Sequence, residues 1–169
     1  MSPQVVLIGT MGAGKTTAGR LLAEHLDTGF RDTDHDIEAA EGRAVSDIFV
    51  ESGEPYFRQR EHEAVVTALA EHDGVLALGG GAVLDERTRA ALVGQRVVFL
   101  RVGLSAAADR VGLGVSRPLL LGNVRSRIKQ LIDERTPIYE SVATHTVDTD
   151  GRSPQDVVED IVTLVEGRA

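Results

Sequence analysis

Short runs of consecutive apolar residues alternate along the chain with longer segments of helical periodicity. Three of these runs have the length of a strand and almost no polar interruption: QVVLIG (4–9), GVLALGG (74–80) and QRVVFLRV (95–102). Strands buried on both faces of a parallel sheet have this character, because helices cover each face. Two weaker strand candidates are GFRDTD (29–34) and ATHTVDT (143–149).

The intervening segments predict helices, notably over residues 15–26, 54–71, 124–135 and 154–166. Such alternation favours right-handed crossovers and a three-layer α/β domain. No repeat, low-complexity segment or linker divides the chain, so we expect one domain over residues 1–169. Because ligands of such folds bind at the carboxyl ends of the strands, the residues that follow each strand are the first candidates for chemistry.

Composition narrows the class of protein further. A chain of 169 residues, 42% hydrophobic and 26% charged, has ordinary globular usage and is long enough for one sizeable core. The absence of cysteine excludes disulfides, thiolate zinc sites and cysteine nucleophiles. We find no signal or membrane-spanning stretch and expect a cytoplasmic protein. The net charge of −8 argues against nucleic-acid or membrane-surface binding, which depends on an excess of lysine and arginine.

The most specific motif directly follows the first strand candidate. In GTMGAGKTT, Gly9, Gly14, Lys15 and Thr16 match the phosphate-binding pattern G-x-x-x-x-G-K-[ST]. Glycines let successive backbone N–H groups face one anion, the following helix offers its positive end, and lysine adds a mobile charge. The threonine hydroxyl can bind Mg²⁺. The expected nucleotide contacts are Gly12, Ala13, Gly14, Lys15, Thr16 and Thr17.

This loop indicates that a nucleotide is bound but leaves several protein classes open, among them GTPases, motor ATPases and small-molecule kinases. No guanine-reading N-K-x-D element occurs in the chain, which disfavours a GTPase. A dinucleotide-binding G-x-G-x-x-G motif is also disfavoured, because Thr17 stands where the third glycine is required.

Carboxylates recur at every second position of FRDTDHDIE (30–38), at Asp32, Asp34 and Asp36. If the second strand ends near Asp34, side-chain alternation places Asp32 and Asp34 on one face, toward the phosphate-binding loop. Asp36 then starts the next helix, where a carboxylate is favourable. In a phosphoryl-transfer site, one acid can hold Mg²⁺ through water while the other orients or deprotonates the attacking hydroxyl. The pattern therefore favours a kinase.

Two other kinds of metal site are excluded by missing residues. An EF-hand loop that begins at Asp32 needs glycine and glutamate where the chain has Ile37 and Arg43. The 5 histidines are scattered, and HEAVV (62–66) has Val66 where the zinc motif H-E-x-x-H needs histidine.

Two arginines in predicted helices are further candidates for binding an anion. SGEPYFRQREHE places Arg58 in the first turn of a helix, where a solvated ion pair with Glu54 or Glu61 is the plain alternative to a functional role. DERTPIYE places Arg135 near a helix end, where a cation can simply stabilise the helix dipole.

Two glycine-rich segments are further candidates. Three glycines at 79–81 follow a strand, where bare backbone allows a ligand to approach N–H groups closely. The segment GLGVSRPLLLGN (112–123) has the composition of a mobile lid and carries one cation, Arg117.

The order and spacing of GTMGAGKT, DTD, GEPYFR, GGG, RPLL and RTPIY resemble those of the shikimate kinases, a family of P-loop kinases related to nucleoside monophosphate kinases. The resemblance covers nearly the whole chain. It implies a three-layer α/β/α P-loop kinase fold with a central five-stranded parallel sheet, a shikimate-binding segment over about 33–61 and a lid over about 112–123. It also implies phosphoryl transfer from ATP, with Mg²⁺, to the 3-hydroxyl of shikimate. We expect a monomer that binds neither nucleic acid nor membrane.

The resemblance assigns catalytic and metal-binding roles to matching positions. Lys15 would contact the β- and γ-phosphates, Thr16 would ligate Mg²⁺, and Asp32 would support the metal through water. Asp34 would bind the acceptor hydroxyl and act as base or orienting group. Arg117 would close with the lid onto the transferred phosphate.

The resemblance also assigns binding roles at the two ends of the cleft. Arg58 and Arg135 would pair with the shikimate carboxylate, a geometry that suits the paired N–H groups of arginine. The backbone of three glycines would line the acceptor pocket: Gly79, Gly80 and Gly81. Three residues would lie near adenine: Arg110, Arg152 and Pro154.

Two alternatives remain at this stage. Another small-molecule kinase of the same branch, such as a gluconate or nucleotide kinase, would keep the phosphate-binding loop but need a different acceptor pocket, so Arg58, Arg135 and Asp34 discriminate against it. A nucleotide-binding module without catalysis is disfavoured, because Lys15 and Thr16 are intact together with the acids.

Overall fold

The computed structural model describes residues 2–10, 13–103 and 124–167. The strands of these ranges are β1 (Val5–Ile8), β2 (Phe30–Asp32), β3 (Val75–Ala77), β4 (Val97–Arg101) and β5 (His145–Asp148). Their helices are α1 (Lys15–His25), α2 (Thr33–Glu41), α3 (Val45–Ser52), α4 (Glu54–Glu71), α5 (Glu86–Ala91), α6 (Val124–Val142) and α7 (Pro154–Gly167), and a 3-10 turn spans Ala82–Leu84. None of these helices is long and apolar enough to cross a membrane.

The five strands form one parallel sheet in the order β2-β3-β1-β4-β5. This arrangement confirms the predicted α/β/α fold with a five-stranded parallel sheet. Central β1 pairs with β3 on one side and with β4 on the other. Because all strands run the same way, the segments after β1, β2 and β3 leave the sheet at one edge.

Two hydrophobic clusters cover the two faces of the sheet. Successive residues of β1 alternate between them: Val5 and Leu7 pack with α1 and α7, whereas Val6 and Ile8 pack with α4 and α6. This two-sided burial is the reason that the strand sequences are almost continuously apolar. A third, smaller cluster joins α2, α3 and α4 beside the sheet.

The junction of β2 and α2 differs from the sequence prediction. The strand was expected over 29–34, but it ends at Asp32, and α2 begins at Thr33 rather than near Asp36. The cause is a local hydrogen bond, in which the Asp32 carboxylate accepts from the Asp34 N–H at 2.9 Å and caps the helix. The cap formed by Asp32 thus ends the strand two residues earlier than predicted.

Helix α6 also differs from the prediction, because it continues through Pro137 to Val142 instead of ending near residue 135. A proline within a helix removes one backbone hydrogen bond. Burial on the sheet compensates here, since Tyr139 is 1% exposed and belongs to the second cluster. The placement of Arg135 near a helix end was therefore wrong. Helices α3 and α5 had not been predicted.

Gly19 lies within α1, a position at which glycine is intrinsically unfavourable. A Cβ at this position would overlap the ring of Phe30 on β2 and lie 3.3 Å from a Leu7 methyl carbon. Close packing of α1 on the sheet therefore requires glycine here.

We predict that Gly19→Ala lowers the free energy of unfolding by about 1–3 kcal/mol, although helix propensity alone predicts a gain. The matched control is Gly29→Ala, whose Cβ would make an ordinary 3.5 Å contact with His72. It should change stability by less than about 0.5 kcal/mol. Urea unfolding measures both variants, and a more stable Gly19→Ala protein would contradict the packing argument.

Candidate active site

The phosphate-binding loop lies between the carboxyl end of β1 and the amino end of α1. Gly14 has a φ of 86° and precedes the helix as its N-cap, and no side chain caps the first turn. The Lys15 ammonium donates to the carbonyl oxygens of Gly9 at 2.6 Å and Thr10 at 3.2 Å. A helix N-terminus without a side-chain cap and an adjacent ammonium make a site for an anion.

The charge of Lys15 interacts with those of Asp32 and Asp34 and with that of Arg135 on α6. Burial lowers the pKa of Lys15 to about 8, Arg135 acts in the same direction, and Asp34 and Asp32 oppose the change. The phosphate-binding lysine, both acids and the distant arginine therefore converge on one region, as the sequence predicted.

Asp32 and Asp34 reach this region by a route other than strand alternation. Asp32 is the last residue of β2 and caps α2, whereas Asp34 lies in the first turn of that helix. Asp36 also lies in the first turn, but its carboxylate pairs with Arg31 Nε at 2.6 Å and is directed to the edge of the sheet. The sequence had separated Asp32 and Asp34 from Asp36 in this way, but it did so by assuming that the strand continues to Asp34, which was wrong.

Asp34 is the most unusual acid of the site. Its Oδ1 is buried and has no hydrogen-bond partner in the part of the chain that the structure describes. Burial raises the pKa of Asp34 to about 6, the charge of Asp32 adds to the increase, and Lys15 and Arg58 oppose it. A carboxylate of this kind can accept a proton near neutral pH, and its orphan oxygen is available to a donor from a ligand.

The glycine run, residues 79–81 after β3, is packed against three charged side chains. A Cβ at Gly79 would lie 2.5 Å from Asp34 Oδ1 and 2.9 Å from Glu61 Oε2. A Cβ at Gly81 would lie 2.5–2.7 Å from the Arg58 guanidinium. A side chain at either position would therefore displace the charged groups from their present places.

Arg58 is held in a fixed orientation on α4. Its guanidinium donates to Glu61 at 2.7 Å and to Glu54 at 3.2 Å, and it lies over the rings of Phe49 and Phe57 at 5.7 and 5.4 Å. Burial opposes its charge, but Glu61 and Glu54 hold the pKa of Arg58 above its ordinary value. The ion pairs expected from the sequence are present, yet the pair with Glu61 is far from solvated.

Glu61 was missed as a site residue. Its side chain is 3% exposed, and burial raises its pKa to about 6 while Arg58 opposes the rise. A sequence signal did exist, because Glu61 interrupts the apolar stripe of α4 between Phe57 and Val65. A carboxylate in a buried stripe needs a partner, and here the partner is Arg58.

Helix α6 brings Arg135 and Tyr139 to the same region. Arg135 influences the pKa values of Lys15, Glu61 and Tyr139, so its guanidinium lies near all three groups. The buried Tyr139 hydroxyl donates to the Gly80 carbonyl at 2.5 Å. Tyr139 was not singled out from the sequence, because nothing local distinguishes it from a core aromatic residue.

The expected adenine end is described only in part. Arg110, Arg117, Gly12 and the segment 112–123 lie outside the described residues. Pro154 starts α7, and the Arg152 guanidinium bonds to two backbone carbonyls and pairs with Asp160 at 2.8 Å. Arg152 thus anchors the loop between β5 and α7 at the same edge of the sheet.

The residues expected to hold a metal fit Mg²⁺ bound together with a nucleotide. Thr16 is exposed on the first turn of α1, and Asp32 uses one carboxylate oxygen for the helix cap, which leaves the other. Within the described ranges there is no group of three His, Asp or Glu side chains that could enclose an ion. Mg²⁺ typically takes one or two protein oxygens and completes its shell with phosphate and water.

Comparisons with known proteins agree on one family. A family model described as shikimate kinase matches residues 11–166. A shikimate kinase of Streptomyces coelicolor is 55% identical over 165 residues, 98% of this chain and 96% of the relative, and one of Thermobifida fusca is 58% identical over 157 residues, 93% and 91%. The solved shikimate kinase from Acinetobacter baumannii in complex with shikimate has a TM-score of 0.92 at 35% identity, covering 99% of this chain and 94% of that one.

The raised pKa of Asp34 predicts a pH-dependent cost to stability. Because the pKa rises from 3.8 to about 6 on folding, the folded state binds the proton more tightly, and this contribution to stability is lost as the pH rises through 6. Ligand-free, metal-free Asp34→Asn is therefore expected to be more stable than the wild type by about 1–3 kcal/mol above pH 6.

Urea unfolding at a series of pH values measures this difference. The variant should keep part of the pH dependence, because the pKa of Glu61 is also raised to about 6. The matched control is Asp36→Asn in the same helix turn, which loses the Arg31 pair and should be neutral or slightly destabilised. An Asp34→Asn protein that is less stable than the wild type at neutral pH would contradict the burial argument.

Proposed function

The chain belongs to the shikimate kinase family, and from this premise we propose how its residues carry out the reaction of that family. It catalyses the ATP-dependent phosphorylation of the 3-hydroxyl of shikimate, which gives shikimate 3-phosphate and ADP. The observation that carries the residue assignment is the orphan Oδ1 of Asp34, a carboxylate on which the charges of the phosphate-binding lysine and of Arg58 both act.

On the nucleotide side, the phosphate-binding loop holds the β- and γ-phosphates. The N-terminus of α1 and the loop residues Ala13, Gly14 and Thr17 offer backbone N–H groups, and Lys15 exchanges its carbonyl partners for phosphate oxygens. Thr16 and, through water, Asp32 would hold Mg²⁺, which when bound neutralises phosphate charge. These contacts orient the γ-phosphoryl group toward Asp34.

On the acceptor side, Arg58 and Arg135 bind the carboxylate of shikimate. Arg58 is fixed by Glu61 and by two aromatic rings, so it loses little side-chain freedom when the ligand binds. The backbone of the glycine run lines the pocket, and the segment 33–61, which has its own small cluster, carries Arg58 and Asp34. This clamp places the 3-hydroxyl in line with the γ-phosphoryl group.

Asp34 orients the 3-hydroxyl and accepts its proton as the oxygen attacks phosphorus. With a pKa of about 6, the carboxylate is mostly ionised at neutral pH and is still basic enough to take the proton. The new bond joins the 3-oxygen to the γ-phosphorus, and the bond to the bridging oxygen of ADP breaks. Lys15 balances the negative charge of the transferring group.

The remaining assignments are proposals from the family resemblance. Arg117 would close onto the transferred phosphate with the segment 112–123, and Arg110, Arg152 and Pro154 would lie near adenine. We also propose that the protein acts in the cytoplasm as a monomer with no nucleic-acid or membrane partner, which the net charge of −8 supports.

A coupled ADP-release assay across shikimate, gluconate and nucleoside monophosphates tests the function. Turnover should be confined to shikimate, because the acceptor must place its carboxylate on the two arginines and its hydroxyl on Asp34 at the same time. The open chain of gluconate and the larger nucleoside monophosphates do not present an anion and a hydroxyl at the separation that the ring of shikimate fixes. Faster turnover with gluconate or a nucleoside monophosphate would support another kinase of the branch.

For the catalytic step, we predict that Asp34→Asn lowers kcat by about 10²-fold or more, because an amide cannot take the proton. Binding of ATP should change little, since Lys15 and the loop are intact. Steady-state kinetics and nucleotide titration measure the two quantities. Asp36→Asn serves as the control with near-normal kcat, and normal turnover of Asp34→Asn would refute the assignment.

For acceptor binding, we predict that Arg58→Ala raises the KM for shikimate at least about 10-fold and the KM for ATP far less. Arg60→Ala is the matched control on the same helix, because Arg60 pairs with Glu41 and Glu63 at the surface. Initial rates with each substrate varied in turn give both constants. A similar rise in both KM values would argue against a carboxylate clamp.

A further inference from the structure

The backbone of the glycine run, residues 79–81, is hydrogen-bonded to side chains on both of its sides. The Gly79 N–H donates to the Thr33 hydroxyl at 3.3 Å, and the Gly80 carbonyl accepts from the Tyr139 hydroxyl at 2.5 Å. The Gly79 carbonyl is engaged by the Ala82 N–H at 3.1 Å, at the start of the 3-10 turn. Thr33 and Tyr139 belong to α2 and α6, two helices that approach the run from different directions.

These contacts determine where the remaining donors point. A trans peptide unit is planar, so its C=O and the next N–H point in opposite directions. The hydroxyl of Tyr139 fixes the Gly80 carbonyl and with it the Gly81 N–H, which must point away from Tyr139. Within the described part of the chain, the N–H groups of Gly80 and Gly81 have no protein acceptor. They are therefore donors held in position for a ligand.

Gly81 is also the glycine that lies against Arg58. The guanidinium is within 2.7 Å of the position that a Gly81 Cβ would take. Tyr139 thus directs the N–H of the same glycine that contacts the guanidinium directed by Glu61, and an anionic oxygen of the acceptor can use both kinds of donor.

Tyr139 is suited to hold such a group still. It is 1% exposed, its ring packs against Phe99 with centroids 4.9 Å apart, and burial raises its pKa to about 12, so that the phenol remains a donor. Arg135 lies one helical turn earlier and faces the same phenol. Helix α6 thus carries both Arg135 and Tyr139, and Tyr139 orients the backbone that lies beside Arg58.

We propose that Tyr139, with Thr33 on the opposite side, is a positioning residue of the acceptor site: its hydroxyl fixes the Gly80–Gly81 peptide so that the Gly81 N–H faces the bound acid. The proposal rests on the proposed function, since the acceptor is the carboxylate substrate clamped by Arg58. Neither side chain touches the substrate, and both act through the glycine backbone.

The test is Tyr139→Phe, which removes the hydroxyl and retains the buried ring. We expect the KM and the dissociation constant for shikimate to rise about 3- to 10-fold, as for loss of one positioned neutral hydrogen bond, with the KM for ATP unchanged and kcat changed less. The matched control is Thr144→Val, which removes a similar hydroxyl-to-carbonyl bond, to Val97 at 2.9 Å, on the far side of the fold. It should lower the melting temperature and leave both KM values unchanged.

A second variant pair keeps the proposal testable if Tyr139→Phe folds poorly. Thr33→Val frees the Gly79 N–H and should raise the KM for shikimate selectively, whereas Thr33→Ser keeps the hydroxyl and should restore it. Unchanged shikimate affinity in both Tyr139→Phe and Thr33→Val would overturn the inference, as would equal changes in the KM values for both substrates.

An amide readout separates this inference from the proposed function. In ligand-free protein labelled with ¹⁵N, Tyr139→Phe should shift the Gly81 amide resonance, and Thr144→Val should leave it in place. Titration of shikimate into the wild type then shows whether the acceptor binds at all. A wild type without shikimate binding would refute the function, whereas a wild type that binds and a Tyr139→Phe variant that binds equally well would refute only the positioning role.

Discussion

Close packing of charged side chains against bare backbone at the carboxyl edge of the sheet is the contact on which the rest of this structure depends. Asp34 and Glu61 occupy the space beside Gly79, and Arg58 occupies the space beside Gly81. A side chain at either glycine would displace these charged groups, so their present positions depend on the glycines that follow β3. The parallel sheet supplies the rigid support, because its three central strands, β1, β3 and β4, are buried and their carboxyl ends lie at one edge of the sheet.

This packing buries charged groups, and burial shifts their pKa values. Burial raises the pKa values of Asp34 and Glu61 to about 6 and lowers that of Lys15 to about 8, so each group is held near the point where it changes charge. Opposite charges reduce these shifts, since Arg58 pairs with Glu61. Shifted pKa values of this kind are common at catalytic sites.

The glycine run connects these features to the two helices that flank it. Thr33 on α2 accepts from the N–H of Gly79, Tyr139 on α6 donates to the carbonyl of Gly80, and the Ala82 N–H donates to the carbonyl of the peptide unit between them. In the acceptor site that we propose, contacts from outside thus hold the backbone in addition to the side chains. Proline in α6 is tolerated because the turn that follows it, with Tyr139, is buried on the sheet.

Much of the fold followed from the sequence because its signals are local. Three apolar runs predicted the strands β1, β3 and β4, two weaker candidates coincide with β2 and β5, and the loop from Gly9 to Thr16 predicted a nucleotide site. These patterns depend on neighbouring residues alone. The boundary between β2 and α2 was wrong, because a side-chain cap by Asp32 outweighs the alternation of the strand. Glu61 left a signal in the apolar stripe of α4 that was missed, whereas Tyr139 could not be recognised as a site residue, since its partner Gly80 is distant in the chain. The sequence alone determined the family, the sheet and the phosphate-binding loop, whereas only tertiary structure decided which carboxylates are buried, which charged groups pack against the glycines and what holds the glycine backbone, because burial and long-range contacts arise only when the chain has folded.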